Sequence, residues 1–167
     1  VVSMLRSGKS DKKHKLQIKN LSQHWQEQKI ALLSETLPKK EFKAICKAQK
    51  QTEKQAAEST KPNLYVLNFN GDMKASAVNA LANEINAVLQ LATPQDEIVL
   101  KLESPGGVVH GYGLAAAQLM RIRDKKIPLT ISVDKVAASG GYMMACIANK
   151  IIAAPFAILG SIGVVVQ

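Results

Sequence analysis

Cysteine and histidine are scarce in this chain of 167 residues, and their positions argue against several kinds of site. Cys46 and Cys146 lie far apart, so they form neither a disulfide framework nor a metal cluster. Cys146 falls in an apolar stretch and is expected to pack as a small hydrophobe. His14, His24 and His110 lack the spacing of metal ligands. We therefore expect no metal ion, and no organic cofactor is required.

Aromatic residues and long apolar runs are also lacking. Aromatics make up only 4% of the chain, and the basic first third contains just Trp25 and Phe42. Few rings are therefore available for stacking on bases, so we expect no nucleic-acid partner. No run of 18 apolar residues and no signal-peptide pattern occurs, so the sequence offers no membrane-spanning segment of its own.

Acidic residues are few in the first third of the chain. Up to Lys61 there are 14 Lys and Arg against 6 Asp and Glu, a net charge of +8, whereas the remainder has 8 against 7. This asymmetry indicates a basic segment that is either surrounded by solvent or in contact with an anionic surface. Of the anionic surfaces, lipid headgroups are favoured over nucleic acid. An anionic membrane surface is therefore one predicted partner of residues 1–61.

The chain is predicted to have two parts. Residues 1–61 form a basic, mostly helical extension, in which a short polar leader precedes helices over 19–37 and 39–59, separated at Pro38. Residues 62–167 alternate short apolar strands with helices, which predicts an α/β domain with a largely parallel sheet. The predicted strands cover 64–69, 97–102, 129–133, 150–153 and 162–166, and the helices cover 76–91, 110–123 and 139–148.

Two glycine-rich turns stand out in the second part, at residues 103–107 (ESPGG) and 137–142 (AASGGY). Each follows a predicted strand and opens a predicted helix, a geometry that presents backbone N–H groups to a negative oxygen. The second turn also offers the hydroxyl of Ser139. An anion cradle beside a nucleophile is typical of acyl-transfer chemistry.

Other interpretations of these residues stay open on residue type alone. Ser139 is also a good helix N-cap, and Gly106 and Gly107 suit a plain close-packed turn. His110 is interpreted as structural or at the rim of a cleft.

The chain resembles the signal peptide peptidase (SppA) family of Ser–Lys proteases, most closely its SohB branch. The resemblance is carried by residues 104–107 and 134–145, and it continues through 154–157 and 160–164. It covers roughly residues 62–167, and the basic region is similar to the segment that precedes the protease domain in SohB-type members. It implies a ClpP/crotonase-like fold.

The resemblance also implies roles for individual residues. Ser139 falls on the family's nucleophile, and the amides of Gly106, Gly107 and Gly140 on its oxyanion hole. The implied substrates are hydrophobic peptides such as signal peptide remnants, cleaved without a cofactor. Family members assemble into homo-oligomers and are anchored in the bacterial inner membrane, so the parent protein is expected there, whereas this chain, lacking the anchor, is expected to be soluble.

The general base is not identified in this chain. In the family it is a lysine several tens of residues after the serine, a position beyond Gln167. Lys135 and Lys150 do not match it and are interpreted as surface residues. We therefore expect a fragment with little activity by itself, whose last strand, 162–166, lacks its usual neighbours.

Two further functional classes remain open at this point. A crotonase-type acyl-CoA enzyme uses paired amides on a thioester carbonyl and does not need Ser139. A non-catalytic, membrane-associated scaffold would use the basic helical region to bind lipid or a partner.

Overall fold

The computed structural model describes residues 2–6, 16–57 and 61–163. Its strands are β1 (Val2–Arg6), β2 (Gln17–Asn20), β3 (Leu64–Asn70), β4 (Glu97–Glu103), β5 (Leu129–Val133), β6 (Val136–Ala138), β7 (Lys150–Ala153) and β8 (Ile158–Gly160). Its helices are α1 (Leu21–Thr36), α2 (Lys39–Ala57), α3 (Val78–Val88), α4 (Val109–Asp124) and α5 (Gly140–Ala145).

Six strands form one sheet in the order β2-β1-β3-β4-β5-β7. All neighbouring pairs are parallel except β1 and β2. Strands β3 and β4 pair in register over their whole length, from Leu64 opposite Glu97 to Asn70 opposite Glu103. A second, two-stranded parallel sheet joins β6 to β8. The predicted α/β class with a largely parallel sheet is confirmed.

The hydrophobic core lies between one face of the large sheet and helices α3, α4 and α5. Alternate residues of the central strands are fully buried, as the period of two in a strand requires. The helices contribute apolar residues three and four positions apart. Core residues include Leu67, Phe69, Ile98, Leu100, Leu102, Leu81, Ile85, Leu119, Ile122 and Met144. This packing holds the carboxyl ends of β3 and β4 in place, and the first glycine turn begins at the end of β4.

The N-terminal segment differs from the predicted extension. β1 pairs with β3 in parallel, with Met4 opposite Val66, so residues 2–6 of the expected polar leader are part of the main sheet. The helices are confirmed: Asn20 caps α1 by accepting from the Gln23 amide at 3.0 Å, and α1 ends before Pro38. A boundary at residue 61 therefore separates two neighbouring strands of one sheet.

Smaller differences concern the C-terminal part. The short strands β6 and β8 were not expected, and α3 and α5 are shorter than the predicted helices. Ile162 and Gly163 lie outside any strand, and the rest of the predicted strand 162–166 falls outside the described residues. Cys146 is exposed, so its predicted burial is wrong.

Within the described ranges, no helix has both the length and the apolar content needed to cross a membrane.

Candidate active site

The two glycine turns lie side by side in the fold. Ser104 forms a parallel bridge with Ala137: its amide donates to the carbonyl of Val136 at 2.9 Å, and its own carbonyl accepts from the amide of Ala138 at 3.0 Å. These bonds continue the sheet between the end of β4 and the short strand β6. Turns that are about three dozen residues apart in sequence thus form one cluster.

Ser139 occupies a sharp turn between β6 and α5. Its backbone has φ 49° and ψ −119°, a conformation that a residue with a side chain rarely adopts. Its amide donates to the carbonyl of Gly160 at 2.8 Å, so β8 holds the turn from the other side. Strain of this kind accumulates at functional sites, where surrounding structure enforces it. A strained strand-to-helix turn is also how hydrolases expose a nucleophilic serine.

The interpretation of Ser139 as a helix N-cap finds no support in this geometry. An N-cap residue has an extended backbone and a side-chain oxygen that accepts from the first turn of the helix. Ser139 has a positive φ, and its side chain makes no capping hydrogen bond. The Ser139 hydroxyl therefore does not cap α5. The residue as a whole is half-buried.

The three predicted oxyanion amides differ in their hydrogen bonds. The amide of Gly106, predicted as one of the oxyanion donors, donates to the hydroxyl of Ser104 at 3.0 Å, so its proton is engaged in this structure. Among the described residues, the amides of Gly107 and Gly140 donate to no protein oxygen. Of the three predicted amides, these two are the ones without a protein acceptor in the described part of the chain.

Glycine is required at both positions of the first turn. Gly106 has φ +91°, and a β-carbon there would lie 2.6 Å from Cβ of Ser139 and 2.7 Å from the carbonyl oxygen of Ala138. A β-carbon on Gly107 would collide with the backbone carbonyl of Met73. The turn is thus pressed between the serine turn and the segment after β3, which fixes the separation of the two amides from the hydroxyl.

A buried tyrosine that the sequence reasoning did not select lies beneath the cluster. The Tyr112 hydroxyl lies 2.6 Å from the Ser104 hydroxyl and donates to the backbone carbonyl of Asp72 at 2.8 Å. Burial raises the pKa of Tyr112, which the hydrogen bond from Ser104 opposes in part and the nearby Asp72 carboxylate reinforces. The sequence signal that could have identified Tyr112 is its position as the one aromatic residue of α4, among small residues.

The described residues place no general base against Ser139. Lys135 is exposed, and its Nζ contacts both carboxylate oxygens of Glu103 at 3.0 Å, in agreement with its interpretation as a surface residue. Lys150 is exposed on β7, and His110 is exposed at the start of α4. The Ser139 hydroxyl has no hydrogen bond to any of these groups or to another described side chain.

A surface cavity of about 290 Å³ does not contain the serine. It lies over the carboxyl ends of β3, β4 and β5, beside the ion pair in which Lys101 Nζ lies 3.5 Å from the Asp134 carboxylate. Its lining mixes polar side chains, such as Asn68 and Asp134, with the buried apolar residues Phe69 and Leu102. The candidate nucleophile Ser139 and residues 104–107 of the first turn do not line this cavity. In the described ranges, no three His, Cys, Asp or Glu side chains come together as metal ligands would.

Comparison with known proteins gives a consistent family. The family model described as "Peptidase family S49 N-terminal" matches residues 1–119, and the one described as "Peptidase family S49" matches residues 121–167. Between them they account for nearly the whole chain.

Curated relatives agree with the family models. "Probable protease SohB" of Haemophilus influenzae is 49% identical over 184 residues, covering 100% of this chain and 52% of the relative. The protein of the same name from Buchnera aphidicola subsp. Schlechtendalia chinensis is 47% identical over 173 residues, covering 95% and 57%. "Putative signal peptide peptidase SppA" of Enterococcus faecium is 32% identical over 90 residues, covering 51% and 26%. The chain spans about half the length of the two SohB relatives.

Proposed function

The chain belongs to peptidase family S49, as a SohB-like member with a ClpP/crotonase-like α/β fold, and from this we propose that it carries the nucleophile and the oxyanion donors of a serine endopeptidase. The observation that carries the proposal is the strained turn of Ser139, packed against Gly106 beside two N–H groups that have no protein partner. A family of proteases and a serine held in this way support the same chemistry.

The reaction begins with Ser139. Its oxygen attacks the carbonyl carbon of the peptide bond while its proton passes to the base, and the carbonyl oxygen becomes an anion that accepts from the amides of Gly107 and Gly140. Collapse of this intermediate breaks the C–N bond, the amine leaves with the proton, and an acyl-enzyme remains. Water then attacks the ester and regenerates the serine. Each fixed donor contributes about 3–4 kcal/mol to the stability of the transition state.

The base is proposed to be a lysine of the longer protein, several tens of residues after Ser139. Such a lysine must be neutral to accept the serine proton, and burial lowers a lysine pKa to the required range. The ion pair of Lys135 with Glu103 supports this assignment, because an exposed, paired ammonium is a poor proton acceptor.

The proposed substrates are hydrophobic peptides, such as the remnants of signal peptides. One relative of this chain is named a putative signal peptide peptidase, which is the support for this substrate class.

The proposed partners beyond substrate are further copies of the protein and an anionic membrane surface. Several large apolar side chains between residues 151 and 162 are exposed, including Ile152, Phe156, Ile158 and Ile162, with Phe156 96% exposed. A concentration of exposed apolar side chains is typical of a surface that is covered in an assembly. The basic segment before residue 62 supports attraction to anionic lipid, consistent with a parent protein at the bacterial inner membrane.

The alternatives are less well supported. A crotonase-type enzyme acting on acyl-CoA has no use for a strained serine, and the matched relatives bear protease names. A scaffold without catalysis leaves the same strain unexplained.

The test is hydrolysis of a fluorogenic hydrophobic peptide by the full-length protein and its Ser139→Ala variant. We expect the variant to lose a factor of roughly 1,000 or more in kcat, since the nucleophile itself is removed. Ser34→Ala, an exposed serine of α1, is the matched control and should retain activity. Activity that survives Ser139→Ala would refute the proposal.

A further inference from the structure

A line of hydrogen bonds runs from the first glycine turn to the segment after β3. The Gly106 amide donates to Ser104 Oγ at 3.0 Å, Ser104 Oγ lies 2.6 Å from Tyr112 Oη, and Tyr112 Oη donates to the Asp72 carbonyl at 2.8 Å. A phenol has only one proton. Because Tyr112 gives that proton to Asp72, Ser104 must donate to Tyr112. Every proton in the line therefore points the same way, from Gly106 to Asp72.

The two hydroxyls in the middle of this line are buried, whereas Asp72 at its end is exposed. The side chains of Ser104 and Tyr112 are fully buried, and three glycines enclose them. A β-carbon on Gly71 would meet both hydroxyls, and one on Gly141 would lie 2.9 Å from Cβ of Ser104. No water replaces a lost partner easily in so tight a space, so each hydroxyl depends on the next.

Tyr112 touches both turns of the candidate active site. Through Ser104 its hydroxyl holds the Gly106 amide, one residue before Gly107. Its ring lies directly against Gly140, where a β-carbon would collide with Cβ and Cγ of the tyrosine. One side chain thus supports the two peptide units that bear the proposed oxyanion donors.

We propose that Tyr112 and Ser104 are positioning residues, which act through the backbone to hold the amides of Gly107 and Gly140 at a fixed place relative to Ser139. The proposal rests on the proposed function, since it assigns these residues a role in stabilising the oxyanion. Neither residue contacts the substrate. The raised pKa of Tyr112 is consistent with the role, because burial keeps the phenol protonated, as donation to Asp72 requires.

Removing either hydroxyl should affect the transition state more than substrate binding. Tyr112→Phe leaves Ser104 without its acceptor and the Asp72 carbonyl without its donor, and the Gly106 tether loosens. Loss of a whole oxyanion donor costs a factor of 100 to 1,000 in comparable enzymes. Because the amides are displaced here and not deleted, we expect kcat to fall roughly 10-fold with KM within about 2-fold.

The experiment measures kcat and KM for the full-length protein with Tyr112→Phe, Ser104→Ala and both changes. Tyr65→Phe, a half-buried tyrosine at the far end of β3, is the matched control and should leave both constants unchanged. The double variant should be no worse than either single one, because both break the same line. Effects that multiply in the double variant, or a Tyr112→Phe variant as active as Tyr65→Phe, would overturn the proposal.

Hydrogen exchange of the Gly106 amide gives a second readout that needs no activity. Protection should fall in Tyr112→Phe and Ser104→Ala and stay unchanged in Tyr65→Phe. Unchanged protection of the Gly106 amide in Tyr112→Phe and Ser104→Ala would overturn the proposed line of hydrogen bonds. This readout does not require an active protein. An unaltered parent that hydrolyses no peptide, with the exchange result as expected, would refute the proposed function and leave the hydrogen-bonded line standing. The two failures are therefore distinguishable.

Discussion

Gly106 lies directly against Ser139: a β-carbon on the glycine would come within 2.6 Å of the serine Cβ. This contact sets the distance between the proposed anion cradle and the proposed nucleophile. It also joins two segments that belong to different strand–helix units of the sheet. The packing between the two turns thus determines the distance between the proposed nucleophile and the proposed oxyanion donors. Substitutions at the contact between Gly106 and Ser139 test this conclusion.

Gly106→Ala should abolish most of the activity. The new methyl collides with Ser139, and φ of +91° is unfavourable for alanine. We expect kcat/KM to fall by roughly 100-fold or more, because the methyl displaces the Ser139 side chain and the Gly140 amide, and misplacement of reacting groups by about 1 Å can cost that factor. Gly113→Ala is the control, since a β-carbon there meets nothing within 4 Å on α4, and it should stabilise the fold by about 0.5–1 kcal/mol. A fully active Gly106→Ala variant would contradict the proposed contact.

Lys135→Met should leave the reaction almost unchanged. The ammonium is exposed and paired with Glu103, and an exposed pair of this kind contributes well under about 1 kcal/mol. We expect kcat within about 2-fold of the unaltered full-length protein at neutral pH. A loss of two orders of magnitude, with the melting temperature unchanged, would instead make Lys135 the base.

Asp96→Asn should destabilise the fold at neutral pH by about 1–2 kcal/mol. The buried carboxylate accepts from the Asn63 amide at 2.6 Å and from the Thr93 amide at 2.7 Å, tying the start of β3 to the loop before β4. Burial alone raises the pKa of Asp96, but the hydrogen bonds from Asn63 and Thr93 outweigh it and lower the pKa.

The pH dependence follows from that direction. Stability contributed by a carboxyl with a lowered folded-state pKa is complete above its unfolded pKa, near 3.9, and is lost as the pH falls through the folded value. The difference between the protein and Asp96→Asn in urea denaturation should therefore shrink below about pH 4. Asp124→Asn, at the exposed end of α4, is the control. A difference that grows on acidification would contradict this account.

Anionic vesicles should bind the basic helix α2 and shift to the blue the emission of Trp25, which lies on the neighbouring helix α1. Trp25 is 57% exposed, and Lys29 and Leu32 lie on the same face of α1, four and seven residues on. The spectrum of Trp25 is obtained by subtracting that of Trp25→Phe. We expect a shift with phosphatidylglycerol vesicles that salt reverses, and none with phosphatidylcholine. Equal shifts with both lipids would rule out charge as the cause.

Much of the α/β region could be predicted from its sequence. The bounds of β5 and β7 agree with the prediction, because short apolar runs between polar turns leave few alternatives. The closeness of the two glycine turns depends on the bridge between Ser104 and Ala137, which joins β4 to the unexpected strand β6 and was not predicted. The weaker cases were short segments. β6 is only three residues long, and β1 (VSMLR) mixes polar and apolar residues without the continuous apolar run that identifies β5.

The hydrogen-bond partners within the site could not be predicted in the same way. Gly106 was expected to offer its amide to substrate, and in the structure this amide donates a hydrogen bond to the Ser104 hydroxyl. A serine two residues before an amide commonly forms such a turn, so this signal was present. The partnership of Tyr112 with Asp72, forty residues earlier, depends on how α4 packs and has no local signature.

The central claim is that Ser139 is the nucleophile, and the most direct measurement is the site of labelling by a fluorophosphonate. The full-length protein would be treated with the reagent, digested and mapped by mass spectrometry, with Ser139→Ala treated in parallel. The account predicts one phosphonyl group on the peptide that contains Ser139, with activity lost in proportion, and no label in the variant. Inhibition with the label on another serine, or labelling that persists in Ser139→Ala, would contradict it.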